Sequence, residues 1–204
     1  MAVTCPVDLD TRRLRDEVGS LYARVATDPS GSFHFHRGPK YAVERLGYDP
    51  EELGSLPFLA TASFAGVGNP LLVDALEAGE TVLDVGCGGG MDLLLAARRV
   101  GARGRAIGID MTPEMLERAG AAARAAGLSH VELHRGEAQA IPIPSETADA
   151  VISNGVLNLT PDKNEAFVEI ARVLRPGGRL LLADIVVESE LSEGIRRNID
   201  LWTG

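Results

Sequence analysis

The sequence predicts an α/β fold, a doubly wound parallel sheet with helices on both faces, behind an N-terminal helical cap. Three observations lead there. From residue 80 onward, short apolar and β-branched runs alternate with amphipathic stretches long enough to be helices, the pattern of successive βαβ units. A glycine cluster, Gly86 to Gly90, follows the first of those strands directly and opens the first helix. The segment before it lacks the alternation and shows only helical periodicity and loops. The expected division is residues 1–70 as the cap and substrate-side extension, and residues 71–204 as the core.

From Asp8 to Thr27 the apolar residues Leu14, Val18, Leu21, Tyr22 and Val25 fall on one helical face, and Asp28-Pro29-Ser30-Gly31 ends the run. Phe33-His34-Phe35-His36 reads as a short extended stretch. Tyr41–Leu46 reads as a helical piece closed by Gly47, and 54–70 as loop. In the core, Thr81–Val85, Arg105–Ile109, Val131–His134 and Ala148–Ser153 are the first four strands. Asp92–Val100 and Pro113–Ala126 are helices between them. Thr160 is the expected N-cap of the next helix, with Pro161 at its first position, and Phe167, Ile170, Ala171 and Leu174 its buried stripe. After the turn Pro176-Gly177-Gly178, Arg179–Val187 is the fifth strand, and Leu191–Leu201 begins a last helix.

Composition narrows the function. The formal net charge is −9 and the aromatic content 4%, so neither a global field for phosphate backbones nor many rings for stacked bases is present. That disfavours nucleic acid and leaves a small-molecule acceptor. No stretch approaches the ~18 apolar residues a membrane helix needs, which makes the expected location cytoplasmic. The two cysteines, Cys5 and Cys87, form neither a disulfide framework nor a metal-ligand spacing; no metal site is expected.

Gly86-Cys87-Gly88-Gly89-Gly90 after a strand suits a tight turn with close backbone approach to a ligand. The dinucleotide fingerprint needs a glycine where this chain has Met91, which weighs against a nicotinamide dehydrogenase. Asp110 ends the second strand and is placed to accept both hydroxyls of a ribose; the alternative is a helix-capping acid before Thr112-Pro113. Met111 is either a face for adenine or core filler. Glu137 and Ala138, after the third strand, are positioned for the adenine edge, and Asn154, after the fourth, for the far end of the same ligand. Asp84 orders the glycine loop, and Cys87 is a small residue packed beside the cofactor.

These motifs, with Arg175-Pro176-Gly177-Gly178-Arg179-Leu180, resemble the class I methyltransferases, whose Rossmann-like core implies strand order 3-2-1-4-5 and S-adenosylmethionine as cofactor. Ser63-Phe64-Ala65-Gly66-Val67-Gly68-Asn69-Pro70, Gly108-Ile109-Asp110-Met111-Thr112, Ile152-Ser153-Asn154-Gly155-Val156-Leu157-Asn158-Leu159 and Pro161-Asp162-Lys163 resemble the arsenite methyltransferases more narrowly. The resemblance implies methyl transfer to trivalent arsenic held on thiolates, the soft ligands As(III) prefers. It also implies a ligand cysteine where this chain has Gly155, another in some relatives at Val67, and one beyond Gly204. The substrate side then falls to Gly155, Asn69, His34 and His36, the two histidines being either surface residues or a replacement for the absent thiols.

Three functions compete: an arsenite methyltransferase, served by an external thiol; a related methyltransferase for another small acceptor; and a non-catalytic S-adenosylmethionine-binding module. The family's extra helix and strand pair after residue 204 are expected to be missing, leaving the core C-terminally short, with an open sheet edge and self-association through it.

Overall fold

The structure, a computed structural model, describes residues 11–186. Five parallel strands form its sheet, β1 (Thr81–Val85), β2 (Arg105–Asp110), β3 (Val131–Arg135), β4 (Ala148–Asn154) and β5 (Leu174–Ala183), in the order β3-β2-β1-β4-β5. That is the expected 3-2-1-4-5. β1 is buried along its whole length, because a central parallel strand is covered on both faces.

Alternation along the strands sorts the core. Val82, Ala106, Ala150, Ile152 and Leu181 pack on one face against α5 (Met91–Val100) and α6 (Pro113–Ala125), and against the N-terminal pieces. Leu83, Val85, Ile107, Ile109 and Val151 point to the other face and meet α7 (Lys163–Val173). The sheet side-chain period of two makes this division. Before β1 lie α1 (Thr11–Thr27), α2 (Gly38–Leu46), α3 (Pro50–Gly54) and α4 (Phe58–Thr61). α1 seats Val25 and Ala26 on Met115 of α6, and Arg118 of α6 donates to the carbonyls of Leu59 at 2.6 Å and Ala26 at 3.0 Å. One guanidinium thus ties two cap helices to the core.

Several boundaries differ from expectation for identifiable reasons. α4 lies within the 54–70 stretch read as loop, and α3 just before it reaches only Gly54; at five (α3) and four (α4) residues they are too short for a helical period to register. α7 is capped by Asp162, whose carboxylate accepts from the amides of Asn164 and Glu165, and Thr160 instead returns its hydroxyl to Leu157 O. The buried stripe of α7 is Ala166, Ile170 and Val173. Phe167 is 38% exposed, Ala171 faces outward, and Leu174 already belongs to β5. That strand starts early: Leu174 pairs with Ala148, residues 175–178 bulge, and pairing resumes at Arg179 opposite Ala150. It ends at Ala183, short of Val187. Phe33–His36 is not an extended run; its backbone bends at His34 and Phe35. β5 is the last strand on its side among the described residues; Cys5 and the helix expected over Leu191–Leu201 lie outside the described residues.

Candidate active site

The strand order reverses direction between β1 and β4, and the crevice outside their carboxyl ends is where ligands bind in open α/β sheets. Here the chain turns out of β1 through Gly86, at φ +74°, and the amides of Gly86 and Cys87 both donate to Ile109 O, at 2.8 and 2.9 Å. A Cβ on Gly86 would collide with the Val156 side chain. Only glycine satisfies both the left-handed backbone and the space.

Asp110 ends β2 and organises the loop. Its Oδ2 accepts from the Gly88 amide at 2.9 Å and its Oδ1 from Thr112 at 2.8 Å, so the carboxylate is fixed in place while each oxygen keeps a further lone pair. Burial raises its pKa above the ordinary 3.8, and the backbone donors oppose the rise. Asp110 thus braces the turn that leads into α6, whose N-cap Thr112 has no side-chain cap bond, and it lines the cleft.

Every residue assigned to the cofactor from sequence lines this one cleft: Asp84, Gly86, Cys87, Gly88 and Asp110 on the glycine-loop side, and Met111, Glu137, Ala138 and Asn154 around it. Met111 lies beneath α1, where a Cβ on Gly19 would come within 3.7 Å of its methyl. Glu137 pairs with Arg15 of α1 at 3.1 Å. Asp84 is buried, its Oδ2 has no partner, and burial, with Asp92 and Asp110 nearby, pushes its pKa well up. The Ser63 hydroxyl is likewise buried, unpartnered and in the cleft wall. Both residues belong to the wall of the one crevice, and buried polar atoms without a partner are uncommon in a folded protein. Cys87 packs its sulfur toward β2, and burial with Asp110 and Asp84 beside it pushes its thiol well up. It is held as a neutral thiol.

Sequence reading missed a buried network around Asn154, in the wall of the cleft. Asn154 accepts at Oδ1 from the amides of Val67 (2.8 Å) and Gly68 (3.1 Å). Its Nδ2 reaches Gly68 O at 2.8 Å, Asp92 Oδ2 at 2.9 Å and the Tyr48 hydroxyl at 3.1 Å. Tyr48 donates to Asp92 Oδ1 at 2.6 Å. Gly66 lies so close against this amide that a Cβ there would overlap it. Nothing in the local sequence pairs Tyr48 with Asp92, forty-four positions apart; the glycines at 66 and 68 were the available signal of close approach.

On the substrate side the structure brings some residues together and not others. Gly155, at φ +70°, borders the cleft, and a Cβ built on it would come within 3.2 Å of Val67. The two positions where the resemblance places cysteines therefore face one another. His36 lines a smaller cavity beside Gly155. His34 is exposed and packs edge-on against Phe35. Asn69 is turned away from the cleft, capping the short helical turn Pro70–Leu72 through Leu71 N. Among the described residues no cluster of three or more metal-ligating side chains is found, and no helix is long and apolar enough to cross a membrane.

Comparison with known proteins assigns the frame. Residues 76–203 match the family model described as a methyltransferase domain. The chain belongs to the class I methyltransferases. Among relatives in the family, the arsenite methyltransferase of Halobacterium salinarum is 37% identical over 98% of this chain and 54% of its own length. That of Aquipseudomonas alcaligenes is 34% identical over 70% and 42%. The solved arsenic (III) S-adenosylmethionine methyltransferase of Chlamydomonas reinhardtii superposes with a TM-score of 0.60 at 34% identity, covering 78% of this chain and 53% of that one. The chain spans about half the length of these relatives. As a methyltransferase family member it has S-adenosylmethionine as its implied co-substrate.

Proposed function

We propose that the chain transfers a methyl group from S-adenosylmethionine to a small acceptor that docks over Gly155. The observation that carries this reading is the convergence, in one crevice, of a ribose-type carboxylate, a glycine cradle and two unpartnered buried polar atoms. Asp110 holds the ribose hydroxyls. Glu137 and Ala138 meet the adenine edge, and Met111 its face. Gly86 and Gly88 let the backbone close on the ligand. Asp84 Oδ2 and Ser63 Oγ receive the charged amino-acid end, with Asn154 at the border with the acceptor. When bound, the co-substrate supplies an electrophilic sulfonium methyl; the chain's contribution is to fix the line of attack.

The acceptor suggested by the arsenite methyltransferases is trivalent arsenic. With Val67 opposite Gly155 and Cys87 held as a thiol, arsenic would arrive on an external thiol such as glutathione. The same facing pair favours a second reading, an organic acceptor in an opened pocket.

One incubation with S-adenosylmethionine, arsenite and excess glutathione tests both, with mass spectrometry for methylated arsenic and S-adenosylhomocysteine and calorimetry for co-substrate binding. Methylated arsenic supports the first reading. Co-substrate binding without it moves the acceptor to an organic molecule, and no binding removes the proposal.

A further inference from the structure

Asp84, Asp92 and Asp110 all stand in the wall of the cleft. They feel one another's charge, since Asp92 and Asp110 both add to the rise that burial causes in the Asp84 pKa. Asp92 differs in what holds it. Asp110 accepts from two backbone amides and braces a turn, whereas the partners of Asp92 are two neutral side chains. The Tyr48 hydroxyl donates to it at 2.6 Å and the Asn154 amide at 2.9 Å. Arg99 of the same helix lowers its pKa through space, but that guanidinium is engaged by Glu52 at 3.2 Å and by Leu71 O at 3.0 Å. An asparagine would satisfy the same two partners, its oxygen accepting from Asn154 and its amide donating to Tyr48. What the carboxylate adds to the network is charge, and a buried charge held by neutral donors costs the fold. A cation bound in the cleft offsets that cost.

Resting on the co-substrate reading above, we infer that Asp92 is the residue by which the cleft tells S-adenosylmethionine from S-adenosylhomocysteine, its buried carboxylate favouring the sulfonium over the neutral thioether. The two ligands share adenine, ribose and amino-acid ends. They differ in one methyl group and one positive charge on sulfur. Contacts to the shared parts, those of Asp110 and Glu137 among them, serve both ligands alike, and only a charge in the wall responds to the difference. At an effective dielectric near 20, a carboxylate several ångströms from a cation changes an affinity by about ten- to thirtyfold. When the methyl carbon leaves, the electron pair of the carbon–sulfur bond stays on sulfur and the positive charge there is gone. Asp92 then has no cation to hold, so the cleft releases the product more readily than the co-substrate.

The groups acting on Asp92 are Tyr48 from the cap, Asp84 from β1, Asn154 from β4 and Arg99 from its own helix. Burial pushes the Tyr48 phenol far up, so it stays neutral, while Asp92 is lifted to about 6. Below that value the unliganded carboxyl holds a proton that S-adenosylmethionine must displace, and S-adenosylhomocysteine need not. Asp84, also pushed well up, adds to the same pH dependence, and a variant at position 92 separates the two.

The test is calorimetry of the 204-residue chain with each ligand at pH 7 and pH 5, read as the ratio of S-adenosylmethionine to S-adenosylhomocysteine affinity. For the parent the ratio is expected to fall about five- to tenfold from pH 7 to pH 5. Asp92→Asn is expected to lower it about ten- to thirtyfold at pH 7 and to flatten its pH dependence. Its S-adenosylhomocysteine affinity should stay within about threefold of the parent, which also reports that the variant folds. A merely structural role would weaken both ligands together, and that outcome overturns the inference. So does a ratio in Asp92→Asn within twofold of the parent's, or a parent ratio that is the same at both pH values. If neither ligand binds the parent, the co-substrate reading itself falls and this inference with it.

Discussion

Asp92 sits in the first turn of α5, 6% exposed, between the Tyr48 hydroxyl and the Asn154 amide. Burial raises its pKa from 3.8 to about 6, against the lowering effect of those two donors. A folded-state value above the unfolded one means the native state keeps its proton longer. Stability is therefore lost as pH rises from about 3.8 to about 6, and the cost is in full force above that, on the order of 3 kcal/mol. Asn at this position keeps the network: its oxygen accepts from Asn154, and its amide donates to Tyr48, whose own proton turns to Gly68 O, 3.2 Å away. Asp92→Asn should raise the free energy of urea unfolding at pH 7.5 by up to about 3 kcal/mol, and by only about 1 kcal/mol near pH 4.5. An equal change at both pH values would mean that Asp92 is not a raised carboxyl. Asp110 behaves differently, because both of its oxygens accept from amides. Asp110→Asn points an NH2 at one of those donors and removes the charge from the ribose site. S-Adenosylmethionine affinity should fall about 10- to 100-fold by calorimetry; affinity within twofold of the parent would take Asp110 out of that role.

At the scale of elements, the cap is held by apolar packing of Leu53, Leu56, Ala60 and Phe64, by the Asn154 contacts, and by Arg118, which alone bonds two of its helices. Arg15 and Glu137 also bridge α1 to the core, but both are about 40% exposed, and such pairs contribute ~0–1 kcal/mol. Arg118→Ala removes two carbonyl partners at once. Hydrogen exchange of the Thr11–Thr27 amides should accelerate about tenfold or more, with β1 amides little changed; Arg15→Ala should leave α1 exchange nearly unaltered. The same contrast explains what could be read from the chain. The strands, α5, α6 and α7 are legible because a parallel sheet imposes long apolar runs and helices of ten residues or more. So is the glycine loop, and so are the strand-end residues, because this topology delivers them all to one edge. The cap resists reading because its order is made by single long-range bonds, such as Arg118 to Leu59 and Tyr48 to Asp92, which leave no period. Asp49 before Pro50 was a readable cap for α3, accepting from Glu51 and Glu52 amides, though the helix it starts is barely a turn. The bulge at 175–178 is invisible for another reason: Pro176-Gly177-Gly178 signals a turn, but only pairing of Leu174 with Ala148 makes it an interruption within a strand.

For the molecule as a whole, the cleft is walled by cap and core together, so ligand binding should stabilise both. S-Adenosylhomocysteine at about 100 times its dissociation constant should add roughly 2.7 kcal/mol, seen as a higher Tm in one cooperative transition that includes α1. Two separate transitions, with only the later one moved by ligand, would show the cap to be independent. The Asn154 contacts carry a further consequence. They join residues 48, 67 and 68 to a side chain 86 to 106 positions later. During synthesis the four cap helices leave the ribosome long before β4 exists, and sheet strands separated so far in sequence close slowly. The contacts of Tyr48, Val67 and Gly68 with Asn154 are thus among the last to close. Until residue 154 emerges, the cap can already pack on α5 and α6, but the segment around Val67 and Gly68 lacks the one side chain that pins it, and a stall in that interval would leave that wall of the cleft unset.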